Sequence, residues 1–329
     1  MGRKRACVVT GCRAEYGLLQ GVIEKIAQDN ELELQIVATG MHLSPEFGLT
    51  RNEIVKDGYE ITEQIEMLLS SDSSIGVIKS MGLGMIGFAD AYKRLNPDIV
   101  VVLGDRFEIF AAATAAFIAR IPIAHIGGGD VTEGAFDDSI RHSITKMANL
   151  HFVTNEDSRR RVCQLGENKA LVHLVGHPGI DRIRTLKLLT KESLEKVLNF
   201  KFQKQNFLVT YHPATLSLKD AGTEFNELLS ALSEFSEDTG ILLTKSNADP
   251  QGRVISSMID KFTKLHENAS SYVSLGQLNY FSVVKYVDIV IGNSSSGICE
   301  VPSLNKPTVN IGDRQKGRFF GKSVIFVPF

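Results

Sequence analysis

Two doubly wound α/β domains are the fold that this 329-residue sequence predicts. Three observations predict it. Short β-branched apolar runs alternate with longer amphipathic segments, the signature of a parallel sheet covered by helices. The runs are nearly continuous in apolar residues, as strands buried on both faces are. The alternation pauses once, at "HPGIDRIRTLKLLTKESLEKVLNF", and then restarts. The pause places the domain boundary near residue 177, with one Rossmann-like domain over 1–176 and a second over 177–329.

In the first domain "ACVVTG" reads as a strand, because a β-branched run ends on a glycine. "YGLLQGVIEKIAQ" follows as a helix, its apolar residues returning every three or four positions. "LELQIVATG" is a strand and "SIGVIKSMGLGMIGFADAYKRLN" a long helix, whose "MGLGMIG" glycines suit close helix packing better than a phosphate loop. Then come strand "DIVVVLG", helix "RFEIFAAATAAFIARI", strand "PIAHIG", helix "DDSIRHSITKMAN", strand "LHFVTN", helix "SRRRVCQLG" and strand "LVHLVG". The second domain repeats the pattern: "FLVTYH", helix "EFNELLSALSEFS", "GILLTK", helix "VISSMIDKFTKLHE", "SYVSL", helix "LNYFSVVKYV" and "DIVIGN". It closes with a short helix from Gly297 and the strands "PTVNIG" and "SVIFV".

Composition excludes several function classes. The formal net charge is -2, from 36 basic and 38 acidic residues, so neither nucleic acid nor an anionic membrane is expected as a partner. No apolar run reaches the roughly 20 residues of a membrane span. The N-terminus "MGRKRACVVTGC" opens a fold instead of a signal peptide. Cys7, Cys12, Cys163 and Cys299 show no CxxC or zinc spacing, which fits free thiols in a reducing cytoplasm. His173 and His177 lie on or after a strand, so no metal site is expected from them.

In open parallel sheets, ligands bind beyond the carboxyl ends of the strands, and two such domains facing each other enclose a cleft. The strand ends therefore hold the candidates. After the first strand, "TGCRAEYG" offers Gly11 for a tight turn and Arg13 for a phosphate, without the GxGxxG fingerprint. After "DIVVVLG" come Asp105 and Arg106; an aspartate there is either a helix cap or a functional carboxylate. "IAHIGGGDVTEGAFDDSIRH" gathers Asp130, Glu133, Asp137 and Asp138 before a helix bearing Arg141 and His142. Helix capping explains one or two of these acids, and clustered carboxylates supply the acid and base that proton chemistry needs. In the second domain His212 ends a strand, Asn247 and Asp249 follow another, and "IGNSSSG" opens a helix suited to a pyrophosphate. Glu300 lies a few residues on, and Arg314 and Arg318 add cations.

The segments "TGCRAEYGLL", "TGMHLSPEFG", "GDRFE", "TEGAFDDSIRHSITKM", "YHPAT" and "IGNSSSGICEVP", with "KPTVNIGDRQKGR", occur in this order along essentially the whole chain. Together they resemble the hydrolysing UDP-N-acetylglucosamine 2-epimerases of bacterial sialic-acid synthesis. They are similar also to the epimerase part of the animal bifunctional enzyme and to enzymes acting on UDP-N,N'-diacetylbacillosamine for legionaminic acid. The resemblance implies a glycosyltransferase-B-like fold, a UDP-sugar substrate, no metal or other cofactor, and a homodimer or homotetramer. It implies hydrolysis of UDP-N-acetylglucosamine to N-acetylmannosamine and UDP through an acetamidoglucal, or the same chemistry on the diacetylbacillosamine donor. By motif, Arg13 contacts the phosphates with Gly17 in the same loop, and Arg106 faces the nucleotide sugar, as Arg141 does in the acidic segment. Asn247, Ser294, Ser295, Glu300 and Arg314 hold UDP, and the backbone near Leu275 borders the uracil. Asp105 and Asp137 carry the acid/base chemistry, and His212 touches the pyrophosphate or sugar and takes part in catalysis.

Two departures from the family pattern stand out. Many relatives place a glutamate two residues after the strand histidine, where this chain has Gly127; either Asp130 or Glu133 takes over, or the proton transfers are divided differently. The chain also stops at Phe329, where relatives continue into a further helix, so a truncated chain is expected. The rival readings are a glycosyltransferase on the same fold, a non-hydrolysing epimerase and a non-catalytic nucleotide-sugar sensor.

Overall fold

The computed structural model describes residues 2–71, 73–133, 135–214, 220–246 and 251–328. The chain divides into two compact units. One is Met1–Val131 with Phe136–Arg182; the other is Ile183–Phe329 with the short segment Thr132–Ala135.

The first unit runs β1 (Lys4–Thr10), α1 (Arg13–Gln28), β2 (Leu32–Thr39), α2 (Arg51–Lys56), β3 (Glu63–Ile65), α3 (Ser74–Leu95), β4 (Ile99–Leu103) and α4 (Phe107–Ile118). It continues with β5 (Ile123–Ile126), α5 (Asp137–Met147), β6 (Leu150–Val153), α6 (Glu156–Gln164) and β7 (Val172–Leu174), and α7 (Pro178–Thr185) carries the chain across the boundary into the second unit. The strands form one sheet in the order β3-β2-β1-β4-β5-β6-β7, parallel at every pairing. Successive side chains of a strand point to opposite faces, and β1 shows the result. Cys7 and Val9 join the core under α3 and α4, while Ala6 and Val8 join the one under α1. Two glycines of α3 work as packing surfaces, while Gly82 faces open space. A Cβ on Gly84 would lie 2.9 Å from Met67 Cε, and one on Gly87 would lie 2.5 Å from Ile65 Cγ2.

The second unit runs α8 (Lys191–Leu198), β8 (Gln205–Thr210), α9 (Ala221–Ser233), β9 (Thr239–Thr244), α10 (Gly252–Leu265), β10 (Ala269–Tyr272), α11 (Gly276–Tyr286), β11 (Ile289–Gly292), α12 (Ser295–Cys299), β12 (Thr308–Ile311) and β13 (Val324–Val327). Its parallel sheet is ordered β10-β9-β8-β11-β12-β13. Two details differ from the sequence expectation. The short helix opens at Ser295 instead of Gly297, because the Ser294 hydroxyl accepts from the Ser296 N–H and caps it there. β10 ends at Tyr272, ahead of the "VSL" that periodicity had included.

In both sheets the strand order reverses between two neighbours, β1 and β4 in the first unit and β8 and β11 in the second. At such a switch point the following chains leave in opposite directions and open a crevice beyond the strand ends. Among the described residues no helix is long and apolar enough to cross a membrane. None of their His, Cys, Asp and Glu residues form a group of three able to hold a metal ion.

Candidate active site

At the first switch point Gly11 and Cys12 follow β1, and α1 begins at Arg13, which is half-buried. Gly17 lies inside α1, buried, and not in the loop where motif reading put it; the helix starts four residues earlier. Glu15, also on α1, curls back so that its Oε2 accepts from the Gly11 N–H at 2.8 Å. Glu108, on the first turn of α4, reaches the same glycine: a Cβ on Gly11 would stand 2.3 Å from Glu108 Cγ. Arg106 Nε donates to Glu108 Oε1 at 2.8 Å. Burial, and then the charge of Glu108, pushes the Glu15 carboxyl up to about 8. Neither Glu15 nor Glu108 stood among the sequence candidates. Both lie in quoted motifs, but nothing local says that two glutamates 93 residues apart share one glycine.

The Asp105 carboxylate pairs with the Arg141 guanidinium of α5. Arg141 is only 2% exposed. Its Nη1 donates to the Asp130 carbonyl at 2.9 Å and stands 3.7 Å from Asp138 Oδ1. Asp137 opens α5 four residues before Arg141, on the same helical face. Arg141 thus links Asp105 to the start of α5, with its own charge engaged by internal partners. His125, just before the glycine loop, is tied to the residue that precedes Asp105. Its Nε2 lies 2.8 Å from the Gly104 carbonyl, an acceptor only, so Nε2 carries the proton. Burial pushes this imidazole down to about 4.

The other two acids of the loop are placed elsewhere. Asp130 Oδ1 accepts from Thr154 Oγ1 at 2.8 Å and from Ser158 Oγ at 2.6 Å, which turns the carboxylate toward β6 and α6. Glu133 lies in the segment grouped with the second unit. Its N–H donates to the Lys316 carbonyl at 3.0 Å, and its exposed carboxylate stands 3.7 Å from Lys316 Nζ. Gly127 has φ +79°, and a Cβ there would meet no atom within 4 Å. The position is open, but its backbone is one that L side chains adopt only under strain.

At the second switch point His212 follows β8 and is buried, with Nδ1 3.2 Å from Ser246 Oγ. Ser294 caps α12 and Ser295 begins it. Arg314 Nη1 donates to the Asn293 carbonyl at 3.3 Å. Arg314 Nε and Ser296 Oγ are buried without a hydrogen-bond partner among the described residues. Glu300 is the C-terminal cap of α12, buried, and Leu275 is the buried residue at the start of α11. Asn247 lies outside the described residues. A guanidinium Nε–H and a serine hydroxyl left over beside the backbone N–H groups of a serine turn are what an anionic diphosphate would satisfy. Gln315 and Asn293, which sequence reasoning did not single out, are both 1% exposed here.

Residues 24–329 match the family model described as UDP-N-acetylglucosamine 2-epimerase. The chain is 43% identical to a GDP/UDP-N,N'-diacetylbacillosamine 2-epimerase (hydrolyzing) of Campylobacter jejuni, over 99% of this chain and 84% of that protein. It is 38% identical to a polysialic acid biosynthesis protein of Escherichia coli, over 99% and 83%. Its fold is that of the Neisseria meningitidis UDP-GlcNAc 2-epimerase solved with UDP-GlcNAc, with a TM-score of 0.79 at 19% identity over 94% of this chain and 83% of that one.

Proposed function

We propose, from the premise that this chain belongs to the UDP-N-acetylglucosamine 2-epimerase family, that it is a hydrolysing 2-epimerase of a UDP-linked 2-acetamido sugar. The observation that carries the reading is the pair of half-buried Asp105 with buried Arg141, with Asp137 one helical turn away. A glycosyltransferase on this fold needs no such carboxylate set; a reaction that removes and returns a carbon-bound proton does.

In the first step a carboxylate takes the proton from carbon 2. The electron pair of that C–H bond forms the double bond to carbon 1, and the bond from carbon 1 to the diphosphate breaks, leaving with its electron pair as UDP. Water then bonds through its oxygen to carbon 1 and gives up a proton, while the electron pair of the double bond takes a proton at carbon 2 on the opposite face. Asp105 and Asp137 perform the two proton transfers, the first held in place by Arg141. Arg13, Arg106, His212, Arg314 and the turn at Ser294 and Ser295 bind UDP and stabilise its departing charge. Glu300 and the backbone at Leu275 take the nucleoside. The tie of Asp130 to Thr154 and Ser158, and of Glu133 to Lys316, favours the reading in which this chain divides the proton transfers without a carboxylate at position 127.

Motif reading placed UDP-N-acetylglucosamine first. The 43% identical relative, named for the diacetylbacillosamine donor, favours that sugar as the second reading. NMR of the reaction in deuterium oxide, run with each donor, tests both. A free manno-configured product with deuterium at carbon 2, formed beside UDP, supports the mechanism, and the donor that gives it is the substrate. A product that keeps its UDP would make the chain a non-hydrolysing epimerase. Binding of both donors without turnover would make it a sensor.

The reading includes a homo-oligomer. Ile75, Ile78 and Ile86 of α3 are 64%, 67% and 66% exposed and share one face of the helix with Leu83. This face supports self-association, and sedimentation of Ile78→Asp with Ile86→Asp checks it: the assembly should fall to monomers.

A further inference from the structure

One side chain crosses the switch point of the second unit. Gly292 pairs with Thr210 as the last register of β11 with β8, and the next N–H, that of Asn293, still donates to the Thr210 carbonyl at 3.0 Å. The two chains then separate, and the Asn293 amide continues the ladder. Its Oδ1 accepts from the His212 N–H at 2.8 Å, and its Nδ2 donates to the His212 carbonyl at 2.7 Å. A side-chain amide thus does for His212 what a neighbouring strand residue would do. The Asn293 carbonyl in turn accepts from Gln315 Nε2 at 2.9 Å and from Arg314 Nη1 at 3.3 Å. All four polar groups of this residue are engaged, and they tie together three loops: the one after β8, the one opening α12 and the one after β12.

We propose that Asn293 is a positioning residue that sets His212 and Arg314 jointly for the diphosphate of the nucleotide sugar. The proposal rests on the UDP reading above and adds to it how two cations or donors on separate loops are held in register. An amide is the side chain that suits the place. It offers one acceptor and two donors in a plane, matching a backbone N–H and C=O together. An aspartate of nearly the same shape keeps the bond from the His212 N–H but sets an acceptor against the His212 carbonyl. An alanine removes both bonds to the His212 backbone. The Arg314 contact is made by the main-chain carbonyl, so a change at 293 reaches Arg314 by moving the backbone that His212 no longer anchors.

The test is titration of the whole protein with UDP and, separately, with uridine, which lacks the diphosphate. For Asn293→Asp the Kd for UDP should rise by at least roughly tenfold, the loss of one charge-assisted hydrogen bond, while uridine stays within about twofold. Arg314→Ala alone should weaken UDP, and adding Asn293→Asp to it should weaken UDP less than the two single losses combined. A purely structural role predicts instead that UDP and uridine weaken together; that outcome, or unchanged UDP binding in a folded Asn293→Asp, overturns the proposal. Asn293→Ala serves as the second variant, with its melting recorded first, and is held to the same comparison. Failure of the unaltered protein to bind UDP overturns the nucleotide reading and the proposal together, whereas intact UDP binding with insensitive variants overturns the placement of Asn293 alone.

Discussion

Replacing Asp105 with asparagine keeps the shape of the side chain and removes its charge, so it isolates the pair with Arg141. Removing one partner of a buried ion pair costs about 3–5 kcal/mol, because the other charge is left uncompensated. The cost here is smaller. Arg141 keeps the Asp130 carbonyl at 2.9 Å and Asp138 at 3.7 Å, and Asp105 itself is 17% exposed on its side chain. A hydrogen bond to a charged group, about 1.5–3 kcal/mol, is the closer measure, so a loss of about 2–3 kcal/mol is expected. In a unit of this size each kcal/mol lowers the midpoint by about 2–4 °C, which puts the first transition about 4–12 °C below that of the unaltered protein. Calorimetry of Asp105→Asn, Arg141→Met and the double variant measures it. The double variant should be less destabilised than the sum of the singles, since it removes both charges at once. Turnover should fall by about 10²–10⁴ in every variant that lacks Asp105. A melting midpoint for Asp105→Asn unchanged within error, with strictly additive losses in the double variant, would show that the pair is not the buried clamp described here.

Asp137→Asn should separate activity from stability. The residue is half-buried in the first turn of α5, where a negative charge contributes about 0.3–1 kcal/mol of helix-dipole stabilisation, while turnover drops by about 10²–10⁴; near-normal turnover removes it from the proton chemistry. Gly292→Ala should destabilise the second unit by more than about 3 kcal/mol, because φ is +131° and the new Cβ would stand 1.9 Å from the Thr210 carbonyl oxygen. An alanine variant that melts with the parent contradicts the close approach of β8 and β11. Stability should also depend on pH in a defined way. Burial holds His42 and His125 down at about 4, so the folded state binds fewer protons than the unfolded one between pH 4 and about 6.5. Stability therefore falls as pH drops through that window, by about 1.4 kcal/mol per pH unit for each imidazole. Glu15, pushed up to about 8, acts in the other direction and removes stability as pH rises from 4.5 to about 8. These three groups place the stability maximum near pH 6.5. A melting temperature that keeps rising to pH 8 in the parent, and does so equally in Glu15→Gln, contradicts the buried state of Glu15.

The two-sheet α/β architecture and most of its elements were legible in the sequence, because their information is local. A buried parallel strand is a continuous apolar run ending on a glycine, as at Gly11, Gly104 and Gly292, and the helices between repeat their apolar residues every three or four positions. What escaped lacked such a signal. β3 is three residues long, with Glu63 and Gln64 in it, and exists as a strand through its pairing with β2. The helix over Arg51–Lys56 is short and buries only Ile54.

The candidate site divides along the same line. Residue type and strand ends together marked Asp105, Asp137, His212, Ser294 and Arg314, although helix capping accounts for an aspartate or serine at such a place as readily as function does. Which acids stand together was decided by tertiary structure. Asp130 and Glu133 look equivalent to Asp137 in the sequence, yet one turns to Thr154 and Ser158 and the other lies with Lys316 in the second unit. Asp105 meets Arg141 across 36 residues of chain, and Asn293 meets His212 across 81. Helix and strand periods reach only a few residues along the chain. Contacts over such separations are set by the order in which strands lie beside one another, here β4 against β5 and β8 against β11, and that order exists only once the sheets have formed.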